Sequence, residues 1–323
     1  MTKRKIKVAI ISGGRSAEHE VSLKSAQNII AAIDKDKYEL VPIVMGKNET
    51  LDIRRLDKSI DVVFPVLHGP FGEDGTIQGL LKLANIPFVG ASVLGSAIGM
   101  DKDVTKRLLR EAGIPTAKFL AIKEKEVPTF NEVIKNFSAP FFVKPANLGS
   151  SVGISKVKDE KDFEKAIREA FDYDRKILIE ENVAGREIEC SVLGNDDPIA
   201  SEPGEVVTNH DFYSYEAKYL DERGAVLEIP ANLPSETVKQ IQALAVNTFK
   251  TLECEGLARV DFFLKKSGEI IVNEINTLPG FTSISMFPKL WQASGTSSTE
   301  LIDKLIQLAF ERFEKEQKLK ISR

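Results

Sequence analysis

The sequence predicts an α/β domain with an open parallel sheet, followed by two mixed α+β units. The chain has 323 residues, which exceeds what one hydrophobic core usually serves. Apolar runs alternate with helical patterns over the first hundred residues, and this regular alternation is lost afterwards. A content of 42% hydrophobic and 28% charged residues is typical of a folded globular protein. We therefore expect several cores with a cleft between them.

The first predicted domain covers residues 1–101. An apolar run at 6–11 ends in Ser12-Gly13-Gly14, and a helical pattern follows at about 20–33. Its further elements are strand-like runs at 38–44, 62–67 and 87–89 and a helix at 76–84. A helix at 102–112, stopped by Gly113, places the boundary near Met100.

Two further domains are predicted at 102–185 and 186–323. The central one has strand signals at 141–144, 153–157 and 177–180 and a helix at 161–170. The C-terminal one has strand signals at 187–193, 258–264 and 269–273 and helices at 235–252 and 299–318. The segment between Pro203 and Pro230 has three tyrosines and little periodicity. A loop of that length is usually a functional lid or a disordered segment.

Charge and cysteine content favour a cytoplasmic protein that binds small molecules. Lysine and arginine total 44 against 48 acidic residues, so the charge balance does not indicate nucleic acid as a partner. Cys190 and Cys254 form neither a CxxC pair nor a disulfide framework, which fits a reducing compartment. We expect no membrane contact, because no apolar segment approaches the roughly 20 residues needed to cross a bilayer.

Polar residues on two strand-like runs near the C-terminus predict a magnesium site. Glu274 and Asn276 alternate on one run, and Asp261 lies on another, two positions after Arg259. Side chains two apart on a strand share a face, and magnesium prefers oxygen ligands. Each residue taken singly would more often face solvent, but the three together favour a metal site.

The segment VKPANLGSSVGIS predicts a phosphate-binding loop. Lys144 ends an apolar run, and Gly149, Ser150, Ser151 and Gly153 leave backbone N–H groups free to surround phosphate oxygens. The pattern is not the Walker sequence, and it joins strand to strand. A simple hairpin turn is the alternative interpretation.

Three further groups of polar residues are candidates for ligand contacts. Glu180, Glu181 and Glu187 could accept hydrogen bonds from adenine or ribose, or could form an acidic surface cluster. Glu18 follows the glycines after the first strand, where open α/β sheets bind ligands, or could complement a helix dipole. His68 stands in HGPFGEDGT directly after a strand-like run, where it could instead be an ordinary turn histidine.

These motifs together resemble the D-alanine:D-alanine ligases of the ATP-grasp superfamily. The similarity rests on eight segments in the family's order and extends from about residue 6 to the C-terminal helix: GGRSAEHEVS, HGPFGEDGT, MDK, VKPANLGSSVG, GREIE, FYSYEAKY, ARVDFF and NEINTLPGFTSISM. It implies a three-domain ATP-grasp architecture. ATP would bind between the central and C-terminal domains, and the N-terminal domain would bind substrate.

The resemblance also implies roles for individual residues. ATP would contact Lys102, Lys144, Gly149, Ser150, Ser151, Glu180, Glu181, Val183, Glu187 and Lys218. Two magnesium ions, for which manganese can substitute, would bind Asp261, Glu274 and Asn276. The first D-alanine would contact Glu18 and His68. The second would contact Ser285, Lys218 and Met286, while Arg259 and the Gly280 N–H stabilise the oxyanion. Ser150 and Tyr219 would link the lid at 212–219 to Glu18.

The reaction implied is ligation of two D-alanine molecules through an acyl phosphate, for peptidoglycan precursors, by a cytoplasmic homodimer. The lid motif YSYEAKY is as in the dipeptide-forming kind, which favours a peptide over a D-lactate ester. The alternatives are another ATP-grasp carboxylate:amine ligase and a catalytically silent nucleotide-binding module. The hinge at 181–183 has no aromatic residue to stack on adenine, so ring contacts there would be aliphatic or come from elsewhere.

Overall fold

The computed structural model describes residues 4–208 and 225–320. The predicted ligand residue Lys218 and the predicted catalytic residue Tyr219 therefore lie outside the described residues. So does the whole of the predicted lid at 212–219.

The first sheet is parallel, as predicted, with the strand order β2-β1-β3. Residues 8–11 of β1 are fully buried, because a parallel sheet is covered on both faces, and this explains the continuous apolar run. The elements are β1 (Ile6–Gly13), α1 (His19–Ala32), β2 (Tyr38–Met45), β3 (Val62–Val66), α2 (Thr76–Leu83) and α3 (Val93–Met100). The run predicted at 87–89 forms only an isolated bridge from Phe88 to Val63.

The second sheet has four antiparallel strands in the order β4-β7-β5-β6. Its elements are α4 (Lys102–Glu111), β4 (Phe119–Lys123), α5 (Phe130–Ile134), β5 (Phe141–Pro145), β6 (Ser155–Val157), α6 (Glu160–Tyr173) and β7 (Lys176–Glu181). The sequence did not predict β4, which pairs with β7 at the edge of the sheet.

The third sheet is antiparallel and follows the path β11-β10-β8-β12-β13, with β9 paired to β8. Its strands are β8 (Arg186–Gly194), β9 (Ile199–Ala200), β10 (Gly204–Thr208), β11 (Ala225–Glu228), β12 (Gly256–Leu264) and β13 (Ile270–Asn276). Its helices are α7 (Ser235–Thr251), α8 (Met286–Ala293) and α9 (Ser298–Gln317). The prediction of an irregular segment between Pro203 and Pro230 is wrong at both ends, where β10 and β11 pair with each other.

Each sheet lies within one of the three predicted ranges, but the hydrophobic cores join them. Leu305 and Ile306 of α9 pack in one core with Val8 and Ile10 of the first sheet. Leu109 of α4 packs in the core of the third sheet. The boundaries at 101 and 185 therefore stay a prediction. Within the described ranges, no helix has the length and apolar character needed to cross a bilayer.

Candidate active site

Two cavities adjoin at the meeting point of the three sheets. The larger cavity, of about 420 Å³, is lined by residues of the second and third sheets. The smaller cavity, of about 120 Å³, lies between the loops after β1 and β3 and the loop after β13. Both are lined by Gly149, Ser150, Glu189 and Glu274, so a group bound in one can reach the other.

The predicted site residues are divided between these two cavities. The larger one is lined by Lys102, Lys144, Gly149, Ser150, Ser151, Glu180, Glu181, Val183, Glu187, Asp261 and Glu274. The smaller one is lined by Glu18, His68, Ser150, Arg259, Glu274, Asn276, Gly280, Ser285 and Met286. The structure thus brings together all the predicted site residues that it describes, although their individual roles stay predictions.

Three phenylalanines that were not among the predicted site residues line the larger cavity. Phe142 comes from β5, Phe262 and Phe263 come from β12, and Ile154 adds an aliphatic surface. The hinge itself offers only Val183 as an apolar side chain. Aromatic contacts for a planar ring are therefore available from neighbouring strands.

The predicted phosphate-binding loop connects two paired strands, β5 and β6, and lines both cavities. The backbones of Ser150 and Ser151 have positive φ angles of 53° and 58°, an uncommon conformation for residues other than glycine. The loop is held at its start, because the Leu148 carbonyl accepts a hydrogen bond of 2.7 Å from Lys102 Nζ. The loop is thus a hairpin connection, as the alternative interpretation holds, and it also lines both cavities.

Glu180 lies in a buried chain of charges rather than in an open acidic cluster. Its Oε1 accepts a hydrogen bond of 2.6 Å from Lys144 Nζ, and its Oε2 lies 2.9 Å from Lys106 Nζ. Burial alone would raise the pKa of Glu180, but the two lysines outweigh burial and lower the pKa. Both carboxylate oxygens are thus engaged by lysines, so the side chain is a poor candidate for contacting adenine.

Glu181 is also engaged within its own sheet. Its Oε1 accepts a hydrogen bond of 2.7 Å from the Lys118 backbone N–H, next to β4. The backbone of Glu181, together with Val183 and Glu187, still borders the larger cavity. We therefore expect the backbone of the hinge, more than the Glu181 carboxylate, to contact a bound base.

Strand register places the predicted metal ligands on one face of the third sheet. Asp261 of β12 stands opposite Glu274 of β13, and Arg259 stands opposite Asn276. On the other side of β12, Asp261 stands opposite Glu189 of β8. Residues directly opposite each other in a sheet project from the same face. Asp261, Glu274 and Asn276 therefore share one face of the sheet, which is the arrangement that a common ion requires.

The donors on this face fit a magnesium ion that phosphate oxygens and water complete. Two carboxylates and an amide provide the hard oxygen ligands that magnesium prefers, and magnesium usually keeps several ligands from substrate and solvent. Asn276 Nδ2 donates to Asp261 Oδ2 at 3.0 Å, so these two side chains already touch. Within the described residues, no group of three or more His, Cys, Asp or Glu side chains could hold a metal ion without further ligands such as Asn276.

Arg259 is the cation at the centre of this acidic face. Its Nε and Nη2 donate to Asp261 Oδ1 and Oδ2, each at 2.7 Å, and its Nε lies 2.8 Å from Glu189 Oε2. Burial alone would lower the pKa of Arg259, but Asp261 and Glu189 hold it well above its ordinary value. The guanidinium is therefore always charged, and it borders the smaller cavity.

Glu18 joins the first sheet to the phosphate-binding loop. It occupies the N-cap position of α1 without accepting a side-chain capping hydrogen bond, and its Oε1 accepts a hydrogen bond from Ser150 Oγ. Ser22 of α1 connects the ends of β1 and β3, because its Oγ accepts a hydrogen bond of 2.7 Å from the Gly13 N–H and donates to the Val66 carbonyl. The contact between Glu18 and Ser150 agrees with the predicted network, whose third member, Tyr219, lies outside the described residues.

His68 holds the loop after β13 through contacts outside its own turn. Its Nδ1 donates to the Leu278 carbonyl at 3.1 Å, and its Nε2 lies 3.4 Å from Ser25 Oγ. Burial alone would lower the pKa of His68, but the nearby carboxylates of Glu73 and Glu18 outweigh it and raise the pKa. The imidazole thus connects the end of β3 to the loop that carries Gly280.

Ser25, which the sequence analysis missed, holds the same loop one peptide beyond Gly280. Its Oγ accepts a hydrogen bond of 3.0 Å from the Phe281 N–H, and Asn28 Nδ2 donates to the Phe281 carbonyl at 3.0 Å. Both residues belong to α1, so the first sheet and its helix set the position of the Gly280 backbone. The motif GGRSAEHEVS ends at Ser22, and this explains why no signal identified Ser25.

Gly280 and Ser285 approach each other closely at the edge of the smaller cavity. A Cβ atom on residue 280 would lie 2.9 Å from Ser285 Oγ, so only glycine fits there without displacement. Ser285 Oγ accepts a hydrogen bond of 2.9 Å from Thr282 N. Met286 is buried against Val206 and forms an apolar border of the cavity.

Comparison with known proteins identifies the family. The model described as D-ala D-ala ligase N-terminus matches residues 7–55 and 46–91, and the model described as D-ala D-ala ligase C-terminus matches residues 108–307. The chain belongs to the D-alanine:D-alanine ligase family. The predicted family and ATP-grasp fold are thereby confirmed, and the chain is an ATP-dependent ligase that uses magnesium.

Full-length relatives and solved structures agree with this assignment. A D-alanine–D-alanine ligase of Oceanobacillus iheyensis is 51% identical, and the match covers 99% of both chains. D-alanine–D-alanine ligase A of Escherichia coli K12 is 46% identical over 98% of this chain and 99% of its own. The structure of the Coxiella burnetii ligase has a TM-score of 0.88 at 38% identity, covering 98% and 97% of the two chains. The ATP complex of the Bacillus anthracis ligase has a TM-score of 0.84 at 32% identity, covering 96% and 99%.

Proposed function

We propose that this enzyme uses ATP to join two D-alanine molecules into D-alanyl-D-alanine for peptidoglycan precursors. The observation that carries the proposal is the junction of the two cavities at Ser150 and Glu274. A nucleotide in the larger cavity can direct its terminal phosphate towards a small zwitterion in the smaller one. Membership of the ligase family supports the same reaction.

In the first step, the carboxylate of one D-alanine attacks the γ-phosphate of ATP, which yields an acyl phosphate and ADP. The Glu18 carboxylate accepts hydrogen bonds from the ammonium group of this D-alanine, and Ser150 orients that carboxylate. Lys102 and Lys144 line the larger cavity, where they would face the phosphates. Asp261, Glu274 and Asn276 would hold magnesium, which would neutralise the charge that develops on phosphoryl oxygens.

In the second step, the amine of the other D-alanine attacks the activated carbonyl, and inorganic phosphate leaves. Arg259 and the Gly280 N–H border the smaller cavity and are the donors for the tetrahedral oxyanion. Ser285 binds the carboxylate of the second D-alanine, and Met286 lies against its methyl group. By the resemblance alone, Lys218 would hold the same carboxylate, and Tyr219 would link to Ser150 and Glu18.

We further propose that the enzyme acts in the cytoplasm as a homodimer. The free thiols of Cys190 and Cys254 are both buried, and a reducing compartment suits unpaired cysteines. The dimer rests on the resemblance to the family alone.

The direct test is an assay of ADP release with ATP, magnesium and D-alanine, followed by mass identification of the product. We expect D-alanyl-D-alanine from D-alanine and no comparable turnover with L-alanine. D-Serine or D-lactate added with D-alanine tests the second pocket, because the VanG D-Ala:D-Ser ligase of Enterococcus faecalis has a TM-score of 0.85 at 36% identity over 95% of this chain and 100% of its own. Equal turnover of L-alanine, or a product other than the dipeptide from D-alanine alone, would contradict the proposal.

Replacing Ser25 with alanine should lower kcat about fivefold and leave the KM for ATP nearly unchanged. The variant loses one hydrogen bond to the loop that orients Gly280, and a buried hydrogen bond contributes roughly 1 kcal/mol. Steady-state kinetics separate the two parameters. Ser96→Ala is the matched control, since Ser96 is equally buried in α3 and does not border either cavity. An unchanged kcat in Ser25→Ala would show that the loop does not depend on this serine.

A further inference from the structure

A buried lysine behind the larger cavity completes the chain of charges around Glu180. Lys106 Nζ lies 2.9 Å from Glu180 Oε2, while Glu180 Oε1 lies 2.6 Å from Lys144 Nζ. Lys106 is only 1% exposed, and its Nζ donates a hydrogen bond of 3.0 Å to Thr116 Oγ1. Lys144 and Glu180 line the larger cavity, whereas Lys106 does not. Lys106 can therefore influence a bound nucleotide only indirectly, through Glu180.

The charges of these three residues explain why a second lysine is needed. Glu180 alone would neutralise Lys144, and the pair would present no net charge to the phosphates of ATP. The ammonium of Lys106 compensates the same carboxylate, so that the three residues together keep one positive charge. Charge interactions in such a buried position are screened much less than at the surface.

We propose that Lys106 is a positioning residue that compensates the charge of Glu180 and thereby keeps Lys144 available to the ATP phosphates. Glu180 fixes the direction of Lys144, and Lys106 prevents this contact from cancelling the charge of Lys144. The role rests on the proposed function only in assigning the larger cavity to ATP. It does not depend on which amino acid the enzyme ligates.

The test compares the binding of ATP with magnesium and the binding of adenosine by calorimetry, without any amino acid. The ratio of the two dissociation constants reports the contribution of the phosphates and cancels effects on the adenine site. In Lys106→Met, we expect this ratio to fall about tenfold, because the phosphates meet a neutral pair. In the double variant Lys106→Met with Glu180→Gln, the single charge of Lys144 is restored, so we expect the ratio to return to within about threefold of the native value.

Glu180→Gln alone provides an independent arm in case Lys106→Met does not fold. This variant removes a negative charge, so the phosphate contribution should be at least as large as in the native enzyme. Thermal unfolding of every variant separates loss of structure from loss of binding. Two results would overturn the role: equal weakening of ATP and adenosine in Lys106→Met, or a double variant with no better ratio than the single one.

The role of Lys106 and the proposed ligation of D-alanine can be refuted separately. The calorimetric titrations contain no D-alanine, so an enzyme with another amino acid substrate would give the same results. Conversely, a confirmed dipeptide product together with an unchanged ratio in Lys106→Met would remove only the role of Lys106.

Discussion

Glu274→Gln should lower kcat by about 100-fold or more while the protein keeps its fold. Glu274 stands opposite Asp261 in the sheet, lines both cavities and lies 3.5 Å from Lys102 Nζ. The substitution retains the volume of the side chain and removes the charge that would bind magnesium between the phosphates and the strands. A metal contact of roughly 3 kcal/mol in the transition state corresponds to about a hundredfold change in rate. Steady-state assays across a magnesium titration measure both the loss and the shift of the magnesium dependence.

Glu269→Gln is the matched control for this prediction. Glu269 directly precedes the same strand, is paired with Lys265 on the surface and lies outside both cavities. We expect native kinetics and native magnesium dependence for the control. If Glu274→Gln also retained both, the assignment of Glu274 as a metal ligand would be wrong.

The predicted site residues lie together in the structure, whereas several of the elements that carry them were not predicted. Asp261, Glu274 and Asn276 are polar residues on apolar strands, and such residues are informative because little else requires them there. The sequence could not show that β12 pairs with β13 in the register that places Asp261 opposite Glu274. That register depends on contacts between residues distant in the chain.

There is a physical reason why an element such as helix α3 was not predicted from the sequence. Helix α3 contains Gly95 and Gly99, which lower helix propensity. A Cβ atom at Gly95 would lie 2.4 Å from the Glu253 carbonyl, and one at Gly99 would lie 2.6 Å from Thr277 Cγ2. Close packing therefore requires glycine at both positions, and the same glycines make the helix difficult to predict from the sequence.

The ion pairs behind the site could not be predicted from composition or periodicity. Lysine is rarely buried completely, so a lysine in the amphipathic helix α4 is expected to face solvent. Lys106 instead lies almost fully buried beside Glu180, which the sequence analysis had assigned to adenine. Its partner comes from β7, more than seventy residues later in the chain. Only the folded structure brings these charges together.

Arg259→Lys should lower kcat roughly 100-fold to 1000-fold with a much smaller effect on the KM for ATP. Removing one oxyanion donor typically raises the barrier by about 3–4 kcal/mol. Lysine keeps the positive charge beside Asp261 and Glu189, so the buried carboxylates retain a cation. It loses the two parallel N–H donors by which Arg259 binds Asp261 at 2.7 Å. The variant thus keeps the positive charge at residue 259 but not the paired hydrogen bonds to Asp261.

Arg54→Lys provides a control with the same local chemistry. Arg54 also binds an aspartate two residues away through two N–H groups, with Nε to Asp52 Oδ1 at 2.9 Å and Nη2 to Asp52 Oδ2 at 2.7 Å, but its side chain is 87% exposed. We expect no change in kcat for this variant.

Rapid-quench measurement of acyl-phosphate formation locates the defect in Arg259→Lys, because an oxyanion donor acts mainly on the second step. If the first step slowed as much as the second, Arg259 would serve mainly to position Asp261 and the bound metal, and the Gly280 N–H would remain as the oxyanion donor.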